Sequence, residues 1–292
     1  MGMPTDHKLD ARLHAARADL ADIRLKGRVE ADRFVAGEPA HVCVSLVDLR
    51  PAPALSRGID TQLLFGEPVS VFDRANGFAW VQSGLDGYVG YVPEETISTT
   101  EPSPTHLIAV PRSFVYSGPD LRLPRRHALS LGSRLAVTGE AETRGTRYLL
   151  LADGSAVVAA HCRSVHDAME SDYVAIAARL LETPYLWGGR SAFGIDCSGL
   201  VQLSLQMVGE RAPRDSDMQA TGLGQPILQS ELVRGDLVFW KGHVGIMEDE
   251  NTLLHANGHT MSVAREDLDG AIARIAWLYQ QPTGFRRPLV KT

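Results

Sequence analysis

Between about Ala40 and Ala159 the apolar residues recur at every second position in short runs broken by turn residues; after Ser171 they recur every three or four. A chain patterned this way folds as strands first and as mixed helix and sheet afterwards. Val42, Val44 and Leu46 alternate, followed by Gln62-Leu-Leu-Phe, Val69-Ser-Val-Phe, Ala79-Trp-Val-Gln and Tyr88-Val-Gly-Tyr-Val. Asn76-Gly77 and Asp86-Gly87 separate runs and favour tight hairpins. These short strands predict a small barrel over 39–98. Thr99-Thr-Glu-Pro-Ser-Pro-Thr105 reads as a linker. A second series in the same order, from Leu107-Ile-Ala-Val to Ala156-Val-Val-Ala, predicts a second barrel over 105–165 and an internal duplication. Ahead of both lies an arm, 1–38, with Leu9, Leu13, Ala16, Leu20 and Ile23 spaced as on one helix face. It is expected to be helical or extended and to pack on the rest. In the last segment, 168–287, a helix starts at Ser171 or Asp172 and ends by Pro184, and a second spans Cys197–Val208. Strands follow at Asp236–Trp240, His243–Met247 and Thr252–Ala256, an α+β layout.

At 292 residues the chain suits two or three domains. Its 44% apolar and 22% charged residues are ordinary for a globular protein. Lys and Arg number 29 against 35 Asp and Glu, a net charge of −6, which argues against nonspecific nucleic-acid binding. Arg122-Leu-Pro-Arg125-Arg126-His127 reads as a solvated turn. The three cysteines, Cys43, Cys162 and Cys197, are widely spread and make neither a disulfide framework nor a metal spacing. His161-Cys162 with His166, and His255 with His259, rank low as metal pairs, so no metal or other cofactor is expected. The polar start Met1-Gly-Met-Pro-Thr-Asp-His-Lys and the lack of a membrane-length apolar run predict a cytoplasmic protein without a membrane partner. The oligomeric state is left open.

Cys197 heads the apolar helical run Cys197-Ser198-Gly199-Leu200-Val201. A thiol attacks a carbonyl as thiolate, so it needs a base and surroundings that lower its pKa. The helix N-terminus is expected to favour the negative charge, and a histidine to take the proton. A three-residue loop, Glu248 to Glu250, would pair Met247 with Asn251 and set His243 directly opposite His255 on one face. Val244 and Ile246 would then point into the core. Two imidazoles side by side suit a base and its orienting partner. Cys43 and Cys162, in apolar strand patterns, read as inert core thiols.

Tyr185-Leu-Trp-Gly-Gly, Asp196-Cys197-Ser198-Gly199, Gly235-Asp-Leu-Val-Phe-Trp240, His243-Val-Gly-Ile and His255-Ala-Asn occur in this order between about Ser171 and Phe285. Together they resemble the NlpC/P60 cysteine peptidases of bacterial cell-wall metabolism. The resemblance implies a papain-like core. Both β units resemble bacterial SH3-like barrels, the first through Phe65-Gly66-Glu67-Pro68-Val69 and Gly87-Tyr88-Val89-Gly90-Tyr91 and the second less closely. The first barrel is expected to close one end of the cleft. The resemblance makes Cys197 the nucleophile, His243 the base and His255 its orienting partner. Tyr185 and the Cys197 N–H are implied as oxyanion donors, and Trp187 as a pocket wall. Relatives that cut γ-D-glutamyl bonds line the pocket with an Asp-Ser pair. That implies Asp215 near the amine of an N-terminal L-Ala, and Ser216 with Ser198 near the D-Glu α-carboxylate. Asp196 is a further polar candidate. Glu67 and Tyr88 resemble family positions that reach over the cleft, where Glu67 and Asp215 would grip the ammonium group. The implied substrate is a murein tripeptide or tetrapeptide with a free N-terminal L-Ala, cut between γ-linked D-Glu and the diamino acid. Two other classes stay open: a wall-peptide-binding protein with an inert core, and a thiol acyltransferase or amidase.

Overall fold

Alternation produces strands where the turns allow it. Asn76 and Gly77 both take positive φ (54° and 77°), and Ala75 pairs with Phe78 across them. That two-residue turn has the twist a hairpin needs, and glycine meets it without steric cost. The structure, a computed structural model, describes residues 9–99, 103–167 and 169–290. The predicted linker therefore falls partly outside the described residues, as do the arm's first residues and the expected boundary at 168.

In the first β unit, Phe78–Ser83 and Pro68–Ala75 lie at the centre of a sheet whose order continues through Glu38–Val42 to Ile97–Ser98, with Val89–Pro93 at the other edge. Leu46–Leu49 pairs with Thr61–Leu64 and caps it. Val42, Leu49, Leu63 and Val81 fill the interior. The second unit repeats the closing order of hairpin, short strand, 3-10 turn and last strand. Val137–Thr143 and Thr146–Leu151 are followed by Ala156–Val158, Ala159–His161 and Cys162–Ser164.

The arm departs from its helical spacing. Among the described arm residues, the regular structure is a 3-10 turn at Ile23–Leu25 and a two-residue strand, Ala21–Asp22, running parallel to Phe34–Val35. Ala15 and Leu20 are buried against Phe72, Trp80 and Val89 of the first unit. The Val89 N–H donates to the Arg12 carbonyl (2.8 Å) and Gln82 donates to that of Leu13 (2.8 Å). The barrel takes the arm's carbonyls, and its aromatic surface takes the apolar side chains, so tertiary contacts override the helical pattern. The packing expected of the arm is present; the helix is not.

The C-terminal unit is α+β. Helix α1 (Tyr173–Ala178) begins at Asp172, whose carboxylate accepts from the Val174 and Ala175 N–H groups (3.0 Å each). Helix α2 (Cys197–Met207) begins at Asp196, which accepts from Gly199 N–H at 2.7 Å. Short α3 (Ser216–Gly222) follows, and α4 (Leu268–Tyr279) lies after the sheet strands. The antiparallel sheet runs Gln225–Ile227, Gly284–Arg287, Leu237–Trp240, His243–Met247, Thr252–Asn257, Ser262–Asp267. One face packs on α2 through Val244, Ile246, Leu254 and Ala256; Val238, Met247 and Leu253 meet Leu268 and Ile275 of α4 on the other.

The hairpin register corrects the sequence reading by two residues. Met247 pairs with Leu253, not Asn251, and Ile246 with Leu254. Glu248 N–H closes a longer loop onto the Thr252 carbonyl (2.8 Å), and Asp249 accepts from the N–H groups of Asn251 (2.8 Å) and Thr252 (2.7 Å). That aspartate-made turn extends the loop. Because strands repeat every two residues, the shift leaves both histidines on one face but sets them diagonally rather than opposite.

The three units share one interior. Leu64 of the first unit and Leu107 and Leu131 of the second belong to the same buried cluster as α1 and α2. Phe65 enters the core of the second unit. Among the described residues no helix is long and apolar enough to cross a membrane.

Candidate active site

Cys197 is the first residue of α2, buried (6% exposed), in the wall of a cleft of about 270 Å³. Burial, with the Asp196 carboxylate next, pushes its thiol up to about 12; the Val244 and Ser198 N–H groups and the Arg214 guanidinium act in the other direction. The expected lowering is not found: the Ser198 N–H at the helix start favours the thiolate, and burial outweighs it.

His243 and His255 meet despite the diagonal register. His243 Nε2 lies 2.9 Å from His255 Nδ1. Burial holds His243 down to about 3, with the neighbouring His255 adding to the effect. Burial likewise holds the fully buried His255 down to about 4, opposed by Glu266. Both rings are therefore neutral at pH 7.

Asp196 lines the cleft beside Cys197, as expected of a polar candidate, and its carboxylate also holds the scaffold. Beyond the helix cap, it accepts from Gly188 N–H (2.9 Å) and from both terminal nitrogens of Arg214 (3.0 and 2.6 Å). Arg214, 1% exposed, also donates to Ser198 Oγ (2.9 Å) and, through Nε, to Thr61 Oγ1 of the first unit (2.7 Å). A buried guanidinium in the polar segment 213–219 thus binds cysteine helix, cleft wall and barrel together. Its sequence signal was its place between Pro213 and Asp215.

The barrel reaches the cleft through Asp60 and Tyr88, which line it with Tyr185, Trp187, Asp215 and Ser216. The Tyr88 hydroxyl donates to Asp215 Oδ2 (3.0 Å), as does Arg12 of the arm (2.8 Å). Burial, then the Asp215 charge, raises the Asp60 carboxyl pKa. Trp187 stands 72% exposed at the rim. Next to it Gly188 has φ 76°, and a Cβ there would sit 2.7 Å from the Ile59 carbonyl oxygen. Only glycine lets the Ile59-Asp60 segment lie this close.

Glu67 is not at the cleft. It is 1% exposed and forms a two-pronged ion pair with buried Arg190 (2.9 and 2.5 Å), while also accepting from Leu64 N–H (3.1 Å). Arg190 in turn reaches Gln62 and Gln206. A buried guanidinium demands a buried carboxylate, so Glu67 joins barrel to catalytic unit. Asp60, which sequence reasoning missed, occupies the place assigned to Glu67; nothing in Gly58-Ile59-Asp60-Thr61 marks it apart from its position just before a strand.

Glu266 and Arg274 were also missed. Glu266 Oε2 lies 3.2 Å from His255 Nε2, and Arg274 donates to both Glu266 oxygens (2.8 and 2.5 Å). Cys162 is pushed up to about 12 by burial and contacts the Val158 carbonyl, as suits an inert thiol. Among the described residues no cluster of His, Cys, Asp or Glu is arranged to hold a metal ion.

This arrangement offers a thiol at a helix N-terminus, a hydrogen-bonded histidine pair, and a cleft lined by the carboxylates of Asp60 and Asp215 and the hydroxyls of Ser198 and Ser216. Comparison with known proteins agrees. Residues 182–278 match the NlpC/P60 family, and residues 49–97 match the bacterial dipeptidyl-peptidase Sh3 domain. The chain is 31% identical over 223 residues to a γ-D-glutamyl-L-lysine dipeptidyl-peptidase of Bacillus subtilis, covering 68% of this chain and 72% of that one. It is 26% identical over 271 residues to dipeptidyl-peptidase 6 of Lysinibacillus sphaericus, covering 82% and 99%. A crystal structure of an NlpC/P60 family protein from Bacillus cereus shares the fold at TM-score 0.71 and 23% identity, over 86% of this chain and 99% of that one. On its motifs, its buried thiol and these similarities, the chain belongs to the NlpC/P60 family of cysteine peptidases.

Proposed function

We propose that the protein hydrolyses the bond between γ-linked D-Glu and a diamino acid in murein tripeptides or tetrapeptides whose L-Ala amine is free. The observation that carries this reading is the meeting of Asp60 and Tyr88 from the barrel with Asp215 in the cleft that holds Cys197. Carboxylates gathered in the cleft suit an ammonium group. The hydroxyls of Ser198 and Ser216, which line the cleft beside the thiol, suit the D-Glu α-carboxylate, with the buried Arg214 holding Ser198 in place from behind. The names of the Bacillus subtilis and Lysinibacillus sphaericus relatives, a γ-D-glutamyl-L-lysine dipeptidyl-peptidase and a dipeptidyl-peptidase, fit a cut after the second residue.

In this mechanism His243 takes the Cys197 proton as sulfur bonds to the γ-carbonyl carbon. With thiol and imidazole both neutral at rest, proton transfer accompanies attack instead of preceding it. The oxyanion receives hydrogen bonds from Cys197 N–H and the Tyr185 hydroxyl. His243 then gives the proton to the leaving amine, releasing the diamino acid and leaving a thioester. Water, deprotonated by His243, cleaves the thioester, releases L-Ala-D-Glu and restores the thiol. His255 holds the His243 ring throughout, and Trp187 covers the peptide at the rim.

A binding protein with an inert core predicts that the peptide binds and is recovered uncut, with no acyl group formed on Cys197. An acyltransferase predicts transfer of the L-Ala-D-Glu acyl group to an added amine in preference to water. The decisive measurement is kcat/KM for L-Ala-γ-D-Glu-diaminopimelate against its N-acetyl form. Asp60 and Asp215 are half-buried, and Asp215 already has Arg12 and Tyr88 as partners. Loss of the ammonium therefore removes charge-assisted hydrogen bonds worth about 1.5–3 kcal/mol, and about a ten- to hundredfold preference for the free amine is expected. Equal rates would sink the ammonium reading. Free peptides rather than intact wall as substrate make the cytoplasm the proposed compartment, which fractionation of the source cells tests.

A further inference from the structure

Behind His255, on the side away from His243, stands an ion pair that the reaction as described does not use. Glu266 lies on the strand Ser262–Asp267, which pairs with the strand of His255; Ala264 is the partner of His255, and Glu266 that of Leu253. The two-residue period puts Glu266 on the same face as His255, one diagonal step away. Its Oε2 is 3.2 Å from His255 Nε2. Arg274 of α4 grips it from the far side, Nε to Oε1 at 2.8 Å and a terminal nitrogen to Oε2 at 2.5 Å. That grip holds the Glu266 carboxyl below the usual carboxylate range.

The tautomers then follow one from another by charge and by the single hydrogen bond between the rings. An ionised carboxylate only accepts, so the nitrogen facing it must carry the hydrogen: His255 is the Nε2–H tautomer. A neutral imidazole has one N–H, so His255 Nδ1 is a bare acceptor. His243 Nε2, 2.9 Å away, must donate to it. The remaining nitrogen of His243, Nδ1, is then the one that holds a lone pair and can take a proton. The opposite assignment would set a lone pair of His255 against a carboxylate.

We infer that Glu266, clamped by Arg274, is a positioning residue that sets the tautomers of both histidines and so decides which nitrogen of His243 is the base. The inference rests on the reading of Cys197, His243 and His255 as the reacting set. Glu266 and Arg274 carry opposite charges and largely cancel at a distance, so their effect is on direction more than on net field. At rest His255 Nε2 and Glu266 Oε2 are in electrostatic contact at 3.2 Å without a formed hydrogen bond, and Nε2 has no other partner among the described residues. The contact strengthens when the histidine pair takes up the proton of Cys197, because the carboxylate then faces positive charge.

The test uses the full chain labelled with 15N-histidine, with ring signals assigned from His243→Asn and His255→Asn. Wild type is expected to show Nε2–H on both rings at pH 7. Glu266 is partly exposed, its side chain 24% accessible, so Glu266→Ala is expected to stay folded. In that variant the His255 tautomers mix, and kcat falls about 10- to 100-fold, as when an oriented histidine loses its outer partner, with KM within about twofold. Glu266→Asp, which keeps the carboxylate, recovers most of the loss, and Arg274→Met gives an intermediate value. An Nδ1–H tautomer on wild-type His255 overturns the inference. So does a wild-type kcat in Glu266→Ala while Cys197→Ala is inert. An active Cys197→Ala would instead refute the assignment of the reacting set, a result separable from the tautomer signals.

Discussion

Burial is the dominant influence on each reacting side chain. Cys197→Ala is expected to abolish hydrolysis of the tripeptide with the circular dichroism spectrum unchanged, since no other thiol faces the cleft; near-wild-type turnover would refute the mechanism. His243→Ala should be nearly as severe. Burial also gives the histidines a stability signature. His255 is fully buried, and its pKa falls from an ordinary value of about 6.5 to about 4. Below pH 6.5 the unfolded chain therefore binds a proton that the folded chain refuses. The contribution is complete above pH 6.5 and is lost as pH falls towards 4, at a slope of up to about 1.4 kcal/mol per pH unit. Urea midpoints between pH 4.5 and 7 should show a shallower dependence in His255→Asn, and parallel curves would contradict it. Asp60→Asn should lower kcat/KM for the free-amine peptide by at least about tenfold and leave the N-acetyl peptide unaffected. Asp60 had no motif to announce it, because its role depends on where a barrel loop lands on another domain.

The elements most readable in advance were those with a local cause. The Asn76-Gly77 turn, the α2 start at Cys197 and the strand His243–Met247 stand where turn residues and periodicity put them. The arm and the 247–253 loop did not follow, because their conformation answers to partners: the Trp80 and Val89 surface for one, the Asp249 carboxylate for the other. The Ile59-Asp60 segment is of the second kind and depends on Gly188. Gly188→Ala would place a Cβ 2.7 Å from the Ile59 carbonyl at a φ of 76°. Strain and clash together should cost about 1–3 kcal/mol and push the barrel loop off the cleft. The expected result is a lower Tm, a higher KM and a reduced preference for the free amine over the N-acetyl peptide. Unchanged selectivity would show that Asp60 is not positioned through this contact.

Across the whole molecule, the two β units and the peptidase unit are expected to unfold as one body. The Glu67–Arg190 pair crosses their junction with both side chains about 2% exposed. Glu67→Gln leaves Arg190 buried without a counter-charge and should cost about 3–5 kcal/mol, whereas Glu67→Leu with Arg190→Met should recover much of it. With Leu64, Leu107 and Leu131 in the catalytic core, calorimetry should show one unfolding transition. A fragment starting at Val165 should be unstable, and any residual activity should lack amine selectivity. Two separate transitions, or a fragment with full selectivity, would contradict the single body.

The sequence by itself determined the order of the units, the α+β class of the last one, and the placing of Cys197 at a helix start with His243 and His255 on one sheet face. These follow from hydrophobic period, helix capping and the two-residue repeat of strands, which operate between near neighbours and survive even a register error of two. Tertiary structure alone decided that Glu67 pairs with Arg190 while Asp60 faces the cleft, that Arg214 ties Asp196 to Ser198, and that Glu266 stands behind His255. Each of those outcomes is a choice of partner for a buried charge. A buried charge takes its counter-charge from whatever element packs beside it, and the spacing of residues along the chain does not encode which element that is.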